Sequence, residues 1–179
     1  MQTMGAIADL RSRLVALDHR LTVRLRVPPG PWHLLALLIA HSGDSPLWLV
    51  AGGTAYLWGG PPLKDLGVGV LIANIVGAIA TGFLKLIFRR RRPGPSFAGL
   101  YHDQLDRMSF PSGHATRVGC MVTLLAPLLP EWATATLAAW AVAVAWARVA
   151  LGVHYLSDVL AGLILGTALG GLSRAAFTG

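Results

Sequence analysis

Beyond residue 31 the chain is a series of apolar stretches near twenty residues long, broken by short turns rich in proline and glycine. Stretches of that length and polarity belong in lipid, where every backbone N–H and C=O must find its partner inside the segment. The expected fold class is therefore an all-α integral membrane bundle. Composition agrees: 54% of residues are hydrophobic and 13% charged, where a soluble domain carries about a quarter charged residues. A length of 179 residues suits a single domain over 1–179, and there is no internal repeat. The first thirty residues lack a continuous apolar core and are not expected to act as a cleaved leader.

Five spans are expected, at 46–60, 66–88, about 113–129, 131–151 and 155–176. Residues 32–42 are apolar but too short to cross alone, so 1–42 is expected to hold interfacial amphipathic helices and 43–179 the transmembrane core. Residues 5–26 place Leu10, Leu14, Leu17, Leu21 and Leu25 at helical spacing, with arginines mostly elsewhere around the helix. That pattern fits a helix lying in the membrane surface or one packed on the bundle. Glycines and alanines within the spans let helices approach closely. Asn74, the one amide in its span, suits an interhelical hydrogen bond.

The net charge is +7, and 13 of the 15 basic residues are arginine. Guanidinium groups grip phosphate oxygens in a fork, so anionic lipid headgroups or phosphate esters fit better than nucleic acid, whose binding patches rarely sit on membrane bundles. Cys120 is the single cysteine. It excludes an internal disulfide or a cysteine-cluster metal site and reads as a small core residue.

Three polar stretches interrupt this apolar background. The first is "KLIFRRRRP", Lys85 to Pro93. Arg89, Arg90 and Arg91 read in part as a positive flank that sets topology. Lys85 lies about a turn inside the apolar end, where a cation must reach the surface or meet an anion. The second is "PSGH", Pro111 to His114, at the start of a helix. Helix N-termini bind anions through unpaired N–H groups, and Gly113 lets a ligand come close. The third is "RVALGVHYLSD", Arg148 to Asp158. His154 and Asp158 are four apart and share a helix face. An aspartate that accepts Nδ1–H fixes the tautomer and frees Nε2 as base or nucleophile.

The order of the turns brings Lys85, Arg92, Ser112, His114, Arg148, His154 and Asp158 to one membrane face. Cations to neutralise non-bridging oxygens and two histidines, one to attack phosphorus and one to protonate the leaving oxygen, suit phosphoryl transfer. No cluster of carboxylates is available for magnesium, so neither a metal nor another cofactor is expected.

In these three motifs the chain resembles the type 2 phosphatidic acid phosphatase family, which shares its core with vanadium haloperoxidases. The family pattern is lysine, six residues, arginine-proline; proline-serine-glycine-histidine; and serine-arginine, five residues, histidine, three residues, aspartate. Lys85, Arg92 and Pro93, then Pro111 to His114, then Arg148, His154 and Asp158 match its spacing. The resemblance implies that His154 attacks phosphorus and Asp158 orients it. It further implies that His114 protonates the leaving group, while Lys85, Arg92, Arg148, Ser112 and the Gly113 backbone hold the phosphate. Ala147 replaces the motif serine, which puts one phosphate contact in doubt. "LDHRL", "HSGDSPLW" and "DRMSFPSGHATR" are similar to the polyisoprenoid and presqualene diphosphate phosphatase branch.

The expected activity is hydrolysis of a membrane-lipid phosphate or diphosphate, with an isoprenoid tail favoured over a glycerophospholipid. The alternative of another class is a lipid-phosphate binder without turnover. The bilayer and the lipid phosphate are the expected partners. The expected location is the inner (plasma) membrane. Thirteen basic residues on the site's side point to the cytoplasmic face, although bacterial relatives usually carry the site outside.

Overall fold

The computed structural model describes residues 2–94 and 107–178. Residues 95–106 of the expected basic loop, Gly99 among them, lie outside the described residues. The described residues form the helices α1 Gln2–Arg24, α2 Pro31–His41, α3 Ser45–Trp58, α4 Pro61–Phe88, α5 Gly113–Leu125, α6 Glu131–Ala150 and α7 Leu156–Thr178. Proline opens α2 and α4 and stands in the first turn of α3, where its missing N–H costs nothing.

Four segments are long and apolar enough to cross a membrane: Pro31–Trp58, Pro61–Phe88, Glu131–Ala150 and Leu156–Ala175. With the shorter, more buried α5 they make the expected set of about five. The first differs in extent from the expected 46–60. Helices α2 and α3 together form one apolar segment of 28 residues. Ala36 and Ala40 pack against Ala147 and Ala150 of α6, and Trp48 of α3 meets Trp140 further along it at 5.5 Å between ring centroids. Residues 32–42 thus lie along the bundle. Their shortness is made good by α3, which continues in the same direction after a break at Ser42–Asp44.

The tightest contact joins α5 to α7. A Cβ on Gly162 or Gly170 would lie 2.6 or 2.7 Å from the carbonyl oxygens of Ser112 and Cys120, and one on Gly166 would collide with Thr116. Glycines four apart therefore bring the two backbones into contact. Cys120 is fully buried there, in a cluster with Val70, Ala73 and Met121. Asn74 accepts from Arg117 Nε at 2.9 Å, an α4–α5 hydrogen bond of the kind expected.

Helix α1 joins the bundle through its polar side. Asp18 and Thr22 bond to the start of α7, while Leu10, Leu14 and Leu17 stay exposed. Of the two readings of its pattern, the helix meets the one that packs it on the bundle, and it keeps its leucine stripe outward.

Candidate active site

The chain ends of α4, α5, α6 and α7 meet at one end of the bundle. After α4 the backbone bridges back onto the approach to α5. Arg91 pairs with Met108, and Ser109 N–H donates to the Arg90 carbonyl at 2.8 Å. This tie brings the end of the first motif beside the start of the second. Ser112 N-caps α5, its Oγ accepting from Ala115 N–H at 3.4 Å, and its own N–H donates to the Asp158 carbonyl at 3.0 Å. The second motif is thereby tied to the third.

His154 lies in the turn between α6 and α7 and is 2% exposed. Its N–H donates to the Arg148 carbonyl at 3.2 Å. Its Nδ1 donates to the Ser109 carbonyl at 2.8 Å, while the nearer Asp158 oxygen stands 3.7 Å away. The spacing-based expectation gave that proton to Asp158. Instead a backbone carbonyl accepts it, because the Asp158 carboxylate is already engaged on both oxygens. The tautomer is the one expected, with Nε2 free of its proton. Burial, reinforced by the charges of Arg148 and Arg92, outweighs Asp158 and pushes the imidazole down to about 3.

Asp158 is fully buried. Its Oδ1 accepts from Arg90 Nη1 at 2.7 Å and its Oδ2 from Tyr155 N–H at 2.8 Å. Arg90 also donates to Asp18 at 2.6 Å and to Ser157 Oγ at 2.7 Å, and lies over the Tyr155 ring at 3.8 Å. Asp18 accepts from Ser157 N–H at 3.0 Å, and Thr22 Oγ1 accepts from Leu156 N–H at 3.0 Å. Three side chains thus satisfy the N–H groups that open α7. Burial opposes the charge on Asp18, but the bonds from Ser157 and Arg90 hold its carboxyl below the usual range.

His114, in the first turn of α5, meets Asp44 at 2.6 Å through Nε2. The charge of Arg148 acts on both histidines and that of Arg92 on His154. Lys85 and Gly113 line a cavity of about 210 Å³ between α4 and α5, whose far end is formed by Asn74 and Arg117. All eight residues singled out in the sequence therefore gather at this end of the bundle. Ala147, which stands where the motif has serine, is fully buried against Ala36 and Ala40 of α2.

Several participants were not legible as such. Arg90 read as a topological flank, and Asp18 and Asp44 appeared only inside stretches quoted for their likeness. Each acts across 68 to 72 residues, and local spacing carries no signal at that range. The one available hint was a carboxylate set in a basic helix, for Asp18, or between two apolar stretches, for Asp44.

The arrangement offers an unprotonated imidazole nitrogen, a second imidazole and a group of cations beside a helix N-terminus, which is what in-line attack on a phosphate ester requires. Comparison with known proteins points the same way. Residues 63–178 match the family model described as the PAP2 superfamily. A decaprenylphosphoryl-5-phosphoribose phosphatase of Mycobacterium tuberculosis is 32% identical over 145 residues, covering 79% of this chain and 68% of its own. An undecaprenyl-diphosphatase of Sulfolobus acidocaldarius is 27% identical over 143 residues, covering 78% and 68%. The crystal structure of a transmembrane PAP2 type phosphatidylglycerolphosphate phosphatase from Bacillus subtilis superimposes with a TM-score of 0.74 at 27% identity, covering 92% of this chain and 86% of that one.

Proposed function

The chain belongs to the PAP2 superfamily, and from that premise we propose that it is a multi-pass membrane phosphatase that removes phosphate from a membrane lipid through a phosphohistidine. The observation that carries this reading is the state of His154. Its Nδ1 proton is committed to the Ser109 carbonyl, so Nε2 presents a lone pair to phosphorus. Arg92, Arg148, Lys85 and the Ser112–Gly113 helix start hold the phosphate oxygens and offset charge as the transition state forms. His114 gives its proton to the leaving oxygen. Asp158 stabilises the imidazole as its charge changes. Water then attacks the phosphohistidine, releasing inorganic phosphate and the free enzyme. No step calls for a metal.

The favoured substrate is a polyprenyl phosphate or diphosphate. Two relatives named for polyprenyl-linked phosphates each align over more than three quarters of this chain. A glycerophospholipid is the second reading, favoured by the name of the Bacillus subtilis neighbour. We read α1 as lying in the membrane surface with its leucines toward lipid, and the site as facing the cytoplasm across an inner membrane. On a five-span reading the N-terminal helix and the site's loops share one side with 13 of the 15 basic residues. A cysteine introduced at Gly99 tests the orientation, since native Cys120 is buried. Labelling by a membrane-impermeant reagent from outside intact cells overturns it.

The activity is tested by phosphate release from farnesyl diphosphate, phosphatidic acid and phosphatidylglycerol phosphate, with EDTA present and His154→Ala as control. Release by the wild type alone supports the reading, and the ranking of substrates selects its branch. Failure to release phosphate from all three contradicts it.

A further inference from the structure

The stretch "HSGDS" at residues 41–45 has no part in the phosphoryl-transfer scheme above, yet side chains of two other helices hold it in place. It forms the break between α2 and α3. Trp140 of α6 donates to Ser42 Oγ at 2.8 Å, and Arg117 of α5 donates to the Gly43 carbonyl at 2.8 Å. A Cβ on Gly43 would lie 2.8 Å from Val144 Cγ1, so the chain passes too close to α6 for a larger residue. The break is thus fixed from two sides.

What it holds in place is a carboxylate. Asp44 stands at the N-cap position of α3, but its side chain makes no cap bond. It takes two imidazoles instead: Oδ1 accepts from His114 Nε2 at 2.6 Å and Oδ2 from His41 Nδ1 at 2.8 Å. Each oxygen serves one ring, and no group of three or more potential ligands among the described residues is set to share a metal ion.

We infer that Asp44 is the positioning residue of His114, forming a second aspartate–histidine pair that makes this histidine the proton donor. The inference rests on the function proposed above. With Nε2–H bound to the carboxylate, Nδ1 is the nitrogen that serves the leaving oxygen. In the first step His154 Nε2 forms a bond to phosphorus and the bond from phosphorus to the leaving oxygen breaks. That oxygen takes the Nδ1 proton of the His114 imidazolium, leaving a neutral ring still bound to Asp44. In the second step water attacks phosphorus and its proton returns to Nδ1. The phosphorus–nitrogen bond breaks, and His154 is freed. The carboxylate steadies the imidazolium in each cycle, as the partner of a catalytic histidine does in a hydrolase triad. Arg148 on α6 and Arg117 on the same helix are the cations whose charges act on this ring. His41 shares Asp44 from the other side, and Lys85 of α4 faces the cavity beside Gly113.

A donor matters in proportion to how poor the leaving group is. The test compares kcat/KM for dodecyl phosphate, which leaves as an alcohol, with that for p-nitrophenyl phosphate, which leaves as a stable phenolate. This ratio covers only the steps up to phosphoenzyme formation, so water attack does not enter. Asp44→Asn keeps a good N-cap and removes the charge. It is expected to lower kcat/KM for dodecyl phosphate by about 10- to 100-fold and to change that for p-nitrophenyl phosphate by less than about threefold. The rate for dodecyl phosphate is expected to fall off at lower pH than in the wild type, because the donor loses its proton earlier. Asp44→Ser, also a capping residue, serves if the asparagine variant fails to bind vanadate. Equal losses on both substrates, or none on either, overturn the inference. Wild-type protein inert on both substrates contradicts the underlying function instead.

Discussion

Arg90 and Asp158, 68 residues apart, share a bond of 2.7 Å between a guanidinium nitrogen and a fully buried carboxylate oxygen. The same guanidinium reaches Asp18 of α1 and Ser157 of α7, so one side chain ties the N-terminal helix to the residue behind the proposed nucleophile. Arg90 stands among four consecutive arginines, but this geometry sets it apart from its neighbours. Arg90→Lys keeps the charge and loses the fork. Its kcat is expected to fall about tenfold or more with KM within about twofold, because the cations assigned to the phosphate are untouched. Arg90→Ala strands a buried carboxylate, at a cost of about 3–5 kcal/mol, and is expected to unfold at lower denaturant than Arg89→Ala.

The neutral, buried His154 makes a prediction about stability. Its proton affinity is lowered in the fold to about 3, against about 6.5 in an unfolded chain. Between those values the unfolded chain binds a proton that the folded protein does not. Stability therefore falls as pH drops from about 6.5 toward 3, by at most about 1.4 kcal/mol per pH unit from this residue. Denaturant unfolding of wild type and His154→Gln across that window checks it. The expected result is a steeper loss in the wild type; parallel curves contradict it.

Ala147 is buried between α6 and α2, against Ala36 and Ala40. Restoring the motif serine places a hydroxyl in an apolar contact, so Ala147→Ser is expected to leave KM unchanged and to cost about 1–3 kcal/mol. A tighter KM for the lipid phosphate would show that the hydroxyl reaches the phosphate.

The α5–α7 contact is expected to tolerate no added carbon. Gly166→Ala drives a methyl into the Thr116 backbone and is expected to destabilise by more than the usual cost of overpacking, about 1–3 kcal/mol. Gly171→Ala, where a Cβ has open space, is expected to melt within a few degrees of wild type.

These cases show what a sequence can carry. Helices and spans follow from local apolarity, and glycines four apart announce a close contact. The three motifs were legible because each is compact and the turns between them dictate one common end. The limit appears at Ser109 and Asp44. Ser109 contributes a carbonyl, a group every residue has, so no residue type betrays it. Asp44 lies 70 residues from the ring it holds. The extent of the first span was obscured for a related reason: the break at Ser42–Asp44 reads as an end, and only the packing of α2 and α3 along α6 shows a continuation.

The proposed mechanism turns on a covalent bond between His154 and phosphorus. The direct measurement is rapid acid-free quenching of the protein after brief exposure to farnesyl diphosphate labelled in its terminal phosphate, followed by peptide mapping. The expected label survives alkali, is lost in acid, maps to His154 and is absent from His154→Ala. Turnover with no such label, or label that persists in His154→Ala, contradicts it.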